Sequence, residues 1–300
     1  MWKKKLQTLA ADRFKHLEIE ARTEFFVAEV KQFKITSYVR DEIIHEIIKA
    51  LDLFGVLIIR DQVLPESLQL QFAKKIGRKL HNKTGISAIT GKSFGKEPLT
   101  HVSNVGANNQ TIKVNDRRRL YGLANRLWHT DASFQNPPGR YSLLYAEKSV
   151  HSGGETEFAD TRAAYYALSK EKKHFLSNLK VHHSIVHSRE VLGFKFSKNE
   201  AAKLPGEFHP MIRTNERTNL SSLYLASHCS EVSGMTIPDG RILLFNLIEH
   251  STNFRRVYKH RWSVNDFVIW DNFATMHRGL EYNDLNEQRI MRRVTTLNSR

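Results

Sequence analysis

The chain has 300 residues, with a hydrophobic fraction of 40% and a charged fraction of 26%, which are ordinary values for a soluble globular protein. Its single cysteine, Cys229, excludes an intrachain disulfide and favours a reducing compartment, so we expect a cytoplasmic protein. No apolar stretch reaches the length of a signal-peptide core or a transmembrane helix, so no membrane association is expected.

The formal net charge of +15 raises the question of a nucleic-acid partner. The basic runs are short and scattered, at residues 3–5, 117–119, 255–256 and 292–293. Because they form no long tract and no recognised nucleic-acid motif, they argue against such a partner. They indicate a basic surface together with an active site for a small anionic molecule, and a homo-oligomer is compatible with them.

Helices and strands alternate in the first part of the chain. Residues 25–30 predict a strand. Residues 41–53 carry apolar side chains at the i, i+3, i+4 and i+7 spacing of a helix, and Gly55 is placed to end it. Residues 56–60 predict a buried strand. Residues 65–76 predict a second helix, whose first turn accommodates Pro65.

Residues 81–125 are polar and rich in Gly, Asn, Thr and basic residues. A long irregular stretch inside a compact domain is typical of a lid or a binding loop, so we predict a lid here. The chain shows no internal repeat and no linker rich in Pro, Gly or Ser. We therefore predict a single domain over residues 1–300.

The second half of the chain mixes strands and helices. Asp160 is suited to cap a helix through Leu168, which either continues or is followed by another over residues 170–179. Residues 180–235 resist assignment. The remaining predictions are a helix over residues 241–252 and strands over residues 141–146, 266–270 and 289–297.

A pair of potential metal ligands follows the polar stretch. His129 and Asp131 are two residues apart, so in an extended segment both side chains point to the same face. A chain with fifteen histidines also contains such pairs by chance, as at His16-Leu17-Glu18. A third ligand is available at His277. Two histidines and one carboxylate are the donor set of non-haem Fe(II) oxygenases.

Several further blocks accompany these ligands in a fixed order. Together they resemble the TauD/TfdA family of Fe(II)- and 2-oxoglutarate-dependent dioxygenases, and within it the TfdA branch that acts on phenoxyacetates. The resemblance covers roughly residues 40–297. It implies a mainly β fold with flanking helices, the double-stranded β-helix or jelly roll. The blocks are residues 103–105, 124–134, 153–165, 260–262, 268–272, 277–279 and 289–297.

The resemblance also implies a role for each matched residue. His129, Asp131 and His277 match the iron triad. Thr156 and Arg289 match the pair that holds the distal carboxylate of 2-oxoglutarate, where a guanidinium fork and a hydroxyl suit a carboxylate. Arg293 lies four residues beyond Arg289 and matches the arginine that meets the acidic group of the substrate near the iron, and we also count it among the residues that contact 2-oxoglutarate. Asn125 matches a residue that approaches the substrate.

The spacing between His277 and Arg289 is one residue longer than is usual in the family, and the extra residue falls within residues 280–284. A slipped alignment would put Gln288 at the anchoring position instead of Arg289. Because a glutamine is a poor carboxylate anchor, we assign Arg289. Arg292 should point opposite to its neighbours and form part of a solvated basic face.

Other chemically notable residues are assigned no catalytic role. Trp128, Phe134 and Trp270 are expected to pack in the core. Cys229 is expected to be buried and inert. No role is assigned to five further histidines, His101, His182, His183, His187 and His228.

The implied reaction consumes O2 and 2-oxoglutarate and hydroxylates a C–H bond of the substrate. We expect a small organic acid with an apolar or aromatic body, and an aryloxyacetate would give a phenol and glyoxylate. Three alternatives are a sulfonate or related small substrate, a non-catalytic jelly-roll binding protein, and a nucleic-acid demethylase. The complete ligand set argues against the second alternative.

Overall fold

The computed structural model describes residues 2–11, 14–90, 97–106 and 108–298. Its helices are α1 (Trp2–Ala11), α2 (Asp41–Phe54), α3 (Glu66–Gly77), α4 (Gly85–Thr90), α5 (Arg117–Leu123), α6 (Thr161–Tyr166), α7 (Lys170–Ser177), α8 (Ile185–Glu190), α9 (Lys198–Ala202) and α10 (Ile237–Ser251). Its strands are β1 (Glu18–Ala21), β2 (Val27–Lys31), β3 (Val56–Ile59), β4 (Leu99–Ser103), β5 (Gly139–Lys148), β6 (Thr156–Asp160), β7 (Lys180–His183), β8 (Glu207–Pro210), β9 (Ile212–Asn215), β10 (Leu220–Leu223), β11 (Cys229–Val232), β12 (Val257–His260), β13 (Phe267–Asp271), β14 (Thr275–Gly279) and β15 (Ile290–Leu297).

The largest sheet has seven strands in the order β1-β2-β3-β13-β5-β15-β4. All its pairs are antiparallel except β2 with β3. Strand β3 is apolar and buried at every position because both of its faces are covered. In β3, Leu57 and Ile59 face helices α2 and α3, whereas Val56 and Ile58 face the opposite side. This explains why residues 56–59 read as a continuous apolar run.

The helical cover on one face follows from the sequence pattern. The apolar stripe of α2 packs Ile47 and Leu51 into the cluster that also holds Phe72 of α3. Gly55 ends α2 with φ of 77°, and its amide donates to Leu51 O at 2.7 Å. The predicted helix is therefore confirmed, with one more residue at its end.

A smaller sheet, β12-β6-β14, covers the other face of the main sheet. Phe158 from β6 packs against Trp270 of β13, with ring centroids 5.4 Å apart, and Met291 of β15 joins the same cluster. Asp160 then caps α6 by accepting from the amides of Arg162 and Ala163, as predicted. The mainly β architecture with flanking helices is confirmed. The site described below lies between the two sheets.

The prediction of a long irregular lid over residues 81–125 is wrong in its secondary structure. The segment contains α4, β4 and α5, and β4 forms the edge of the main sheet by pairing with β15. Its polar composition concealed these elements because β4 is only half-buried and α5 is short. Residues 91–96 and 107 of the predicted lid lie outside the described residues.

Residues 180–235, which the sequence left unassigned, form two short helices and five strands in two small sheets. The N-terminal helix α1 was not predicted either. The helix predicted over residues 241–252 is confirmed as α10, which begins earlier, at Ile237. Within the part of the chain that the structure describes, no helix has the length and apolarity needed to cross a bilayer.

Candidate active site

Three buried side chains form a potential metal site between the sheets. His129, Asp131 and His277 each offer a ligand atom, and these atoms lie within 4.8 Å of one another. The backbones of His129 and His277 bridge each other through two hydrogen bonds of 2.9 Å, so β14 fixes the position of the His-x-Asp segment. His277 is far from His129 and Asp131 in the sequence, and the strand pairing brings the three residues together.

The protonation of the triad suits a cation. Burial lowers the pKa of His129 to about 4 and that of His277 well below its usual value, so both imidazoles are neutral near pH 7. His129 Nδ1 donates to the carbonyl oxygen of Leu127 at 2.8 Å, which leaves the Nε2 lone pair facing Asp131 Oδ1 at 3.9 Å. His277 Nε2 lies 3.6 Å from Asp131 Oδ2.

Asp131 is held ionised by its neighbours. Burial favours the neutral acid, but the charge of Arg293, helped by the Ser142 hydroxyl, outweighs it and holds the pKa of the Asp131 carboxyl below its usual range. Arg293 Nη1 lies 2.5 Å from Oδ1, and Ser142 Oγ donates to Oδ2 at 2.7 Å. An ionised carboxylate beside two neutral imidazoles is the chemical state that binds a divalent metal ion.

A cavity of about 70 Å³ adjoins the triad and is called the Arg289 cavity here. Thr156 and His277 lie in its wall with Arg289 and Arg293. Arg289 is buried, and its guanidinium donates to Gly154 O at 3.2 Å. A buried cation whose partner is a neutral carbonyl is suited to receive a carboxylate. Arg289, which immediately precedes β15, and Arg293 within β15 therefore face one cavity, as their spacing predicted.

Gln288 does not take the anchoring position. Its side chain accepts from Lys148 Nζ at 2.7 Å and donates to Asn109 O at 2.5 Å, away from the Arg289 cavity. The expectation of a solvated Arg292 is wrong. Arg292 points opposite to its neighbours, as predicted, but only 6% of it is exposed. It stacks on Tyr145 and donates to Leu64 O, because α3 covers that face of β15.

A second cavity of about 90 Å³, called the Arg189 cavity, opens on the other side of the triad. It shares Asn125, His129 and Arg293 with the Arg289 cavity, so the triad lies where the two meet. Its wall includes residues 100–103 of β4 and 121–122 of α5. The segment predicted as a lid therefore lines the site, although it is not irregular.

Several residues of this second cavity were missed by sequence reasoning. His228 accepts from Arg189 Nη1 at 3.0 Å and lies beside Ser133, so it belongs to the site. His81 also lines it, as does Phe134, which was expected only in the core. These residues come from segments whose pairing the sequence does not display. Neither His81 nor His228 belongs to a His-x-Asp pair, so no motif in the sequence indicated a role for them.

The other expectations of buried packing agree with the structure for Trp270 and Cys229. Trp270 is fully buried in the core, whereas Trp128 is only half-buried against the cluster that contains Leu243 and Leu247 of α10, with Arg278 over its ring. Cys229 is buried, and burial raises the pKa of its thiol to about 12. A thiol in this state is neutral at pH 7 and a poor nucleophile.

Comparison with known proteins decides the family. Residues 18–295 match the family described as taurine catabolism dioxygenase TauD, TfdA family. The chain belongs to this family. Two relatives are alpha-ketoglutarate-dependent 2,4-dichlorophenoxyacetate dioxygenases. The one from Burkholderia sp. (strain RASC) is 34% identical and covers 92% of each chain. The one from Cupriavidus pinatubonensis is 35% identical, over 91% of this chain and 94% of the relative.

A solved structure agrees with these TauD/TfdA relatives. The crystal structure of AAD-2 in complex with Mn(II) and N-oxalylglycine has a TM-score of 0.89 and 34% identity, over 94% of this chain and 98% of that one. The likeness confirms the expected jelly roll. Family membership also confirms the expected class, a 2-oxoglutarate-dependent dioxygenase that uses Fe(II) and O2. The neutral imidazoles, ionised carboxylate and buried Arg289 of this chain fit that metal and that co-substrate.

Proposed function

We propose that this protein oxidises a small organic acid that carries an aromatic or apolar body, with an aryloxyacetate as the representative substrate. The observation that carries the proposal is the position of the buried triad between two arginine-lined cavities. One cavity has the positive charge and the hydroxyl that suit the distal carboxylate of 2-oxoglutarate. The other has a mixed polar and aromatic wall that suits an aryl acid. The two relatives named for a phenoxyacetate support this choice.

Each cavity residue has a defined task in this proposal. His129, Asp131 and His277 would hold Fe(II), which with O2 and 2-oxoglutarate supplies the oxidising chemistry. Arg289 and Thr156 would hold the distal carboxylate of 2-oxoglutarate by charge-assisted hydrogen bonds. These contacts set the co-substrate's orientation and exclude water from the far end of its cavity.

The acidic group of the substrate is placed next to Arg293, and its body in the Arg189 cavity. Arg293 reaches Asp131 and lines both cavities, so it holds the acid close to the reacting centre. Asn125 lies at the same junction. Phe134 and Tyr121 offer aromatic surface to the body. Hydroxylation next to the ether oxygen gives a hemiacetal, which breaks down to a phenol and glyoxylate.

A substrate panel tests this function directly. The purified protein is supplied with Fe(II), ascorbate and 2-oxoglutarate, and succinate is measured with phenoxyacetate, other small carboxylates and taurine. Phenoxyacetate should release one phenol and one glyoxylate for each succinate, CO2 and O2 turned over. Taurine turnover far above that of every aryloxy acid would contradict the substrate and favour a sulfonate, while leaving the metal chemistry intact.

The proposal includes the cellular location of the enzyme and its binding partner. A cytoplasmic location is supported by the single cysteine and by the need for Fe(II), which a reducing compartment preserves. A small anion is the partner that the cavities fit. A gel-shift assay with duplex DNA at several salt concentrations tests the nucleic-acid demethylase alternative. Specific binding that persists at high salt would favour that alternative.

A further inference from the structure

Arg189 is a buried cation that faces the site without an acidic partner. Only 3% of the residue is exposed, and it lines the same cavity as Arg293 and the metal ligands. Its Nη1 donates to Ser188 Oγ at 2.8 Å and to His228 Nε2 at 3.0 Å. Its Nη2 donates to Asn125 Oδ1 at 3.1 Å. None of these three partners is a carboxylate.

The remaining contacts of Arg189 do not neutralise it. Its guanidinium carbon lies 4.6 Å from the centre of the Tyr121 ring, and burial raises the pKa of that phenol, so the ring is neutral. Among the described residues, Arg189 Nε has no hydrogen-bond partner at all. A buried charge without a counter-charge is destabilising in general, and a buried N–H without an acceptor adds to that cost.

The other arginine of this cavity is in a different state. Arg293 forms an ion pair with Asp131, so its charge is already offset inside the protein. Among the described residues, Arg189 is therefore the guanidinium of this cavity that has both an N–H without an acceptor and a charge without a counter-charge. An acidic ligand would supply the missing charge and the missing acceptor together.

We infer that Arg189 is a specificity-determining residue that binds the acidic group of the substrate together with Arg293, and that Asn125 and His228 orient its guanidinium. This inference rests on the proposed oxidation of an organic acid. It explains why a buried guanidinium without a counter-charge lies in the wall of this cavity. It also predicts that selection of the acid over neutral analogues depends on α8, which carries Arg189, as well as on β15.

Equilibrium binding without turnover tests the assignment. The protein is loaded with Mn(II) and 2-oxoglutarate, and phenoxyacetate and phenoxyacetamide are titrated into it in a calorimeter. Arg189→Gln should bind the acid roughly tenfold or more weakly while its affinity for the neutral amide changes little. A merely structural role for Arg189 would weaken the binding of both ligands. In turnover, the variant should raise KM for the acid more than it lowers kcat.

Arg118→Gln is the matched control, because Arg118 lines the same cavity but its side chain is 42% exposed and paired with Asp116 at 2.7 Å. It should keep the preference for the acid. Arg189→Lys keeps the charge without the fork and should retain part of that preference. If Arg189→Gln binds Mn(II) and 2-oxoglutarate poorly, the acid preference of Arg189→Lys provides the test instead.

The outcomes separate this inference from the proposed function. If Arg189→Gln, or Arg189→Met as a second neutral variant, keeps the wild-type preference for acid over amide, the role of Arg189 is overturned and the proposed oxidation stands. If the preference is lost but wild-type protein releases no phenol or glyoxylate, Arg189 stands and the proposed reaction fails. A wild-type protein that binds both ligands equally would overturn the role of Arg189 whatever the turnover assay shows.

Discussion

Trp262 Nε1 donates a hydrogen bond to Thr156 Oγ1 at 2.9 Å, behind the Arg289 cavity. An indole N–H can only donate, so the threonine oxygen accepts there and its own hydrogen remains available for another acceptor. The acceptor that the cavity offers room for is a carboxylate facing Arg289. Trp262 itself is buried against His260, which fixes the direction of the contact.

Trp262→Phe should therefore weaken 2-oxoglutarate binding without changing the metal site. Loss of one neutral hydrogen bond that orients Thr156 predicts a two- to tenfold higher Kd, from roughly 0.5–1.5 kcal/mol. Calorimetric titration of the Mn(II)-loaded protein with 2-oxoglutarate measures it. Trp2→Phe, in α1 far from the cavity, is the control and should bind normally. An unchanged Kd in Trp262→Phe would show that Thr156 needs no orientation.

The anchors themselves should have larger effects. Arg289→Ala removes a charge-assisted bond worth about 1.5–3 kcal/mol, so its Kd for 2-oxoglutarate should rise roughly tenfold or more. Thr156→Val should do less, and Thr156→Ser should restore wild-type binding because it keeps the hydroxyl. The same titration applies. A normal Kd in Arg289→Ala, with a large effect in Arg293→Ala, would reassign the anchor to Arg293.

The metal site predicts one divalent ion per chain. His129→Ala and His277→Ala each remove a ligand, so both variants should lose Mn(II) stoichiometry and turnover while keeping the circular dichroism of the native fold. His174→Ala, on the exposed side of α7, should bind one equivalent as the wild type does. Equilibrium dialysis gives the stoichiometry. Full occupancy in both triad variants would reject the assignment.

The backbone of Gly139 packs closely against the backbone of Asp131. A Cβ at this position would lie 2.6 Å from Asp131 O and 2.9 Å from Thr295 Cγ2, so Gly139→Ala must displace the backbone that carries the ligand. We expect a lower Tm, from overpacking of about 1–3 kcal/mol, and weaker Mn(II) binding. Gly122→Ala has open space at its Cβ and should leave Mn(II) affinity unchanged. Thermal unfolding and metal titration distinguish the two; equal behaviour would contradict the close approach.

The substrate's charge should be essential to coupled turnover. Esterifying phenoxyacetate removes the negative charge that Arg189 and Arg293 would bind, and it leaves the buried Arg189 guanidinium without a counter-charge in the complex. Succinate release should therefore fall to the level without substrate. Succinate is measured with acid and ester at equal concentration. Should the ester react as well as the acid, the acid group would have no role in binding, although the metal chemistry would remain.

The sequence by itself determined the elements with strong local patterns. Residues 41–53 and 241–252 show helical spacing because each helix buries one face, and residues 56–59 show a continuous apolar run because that strand buries both faces. The sequence also identified the metal-binding triad, because His129, Asp131 and His277 occur in recognisable sequence blocks. Local pattern and motif therefore specified the core strands and the reaction class.

The tertiary structure alone decided which distant side chains share a cavity. Arg189 and His228 meet through a pairing of segments that carry no common motif, so no local pattern could announce their contact. It also decided the environment of similar residues. Arg289, Arg292 and Arg293 are chemically identical, yet one faces a neutral carbonyl, one is covered by α3, and one pairs with Asp131. Charge and hydrogen bonding depend on neighbours in space, and chain folding sets those neighbours.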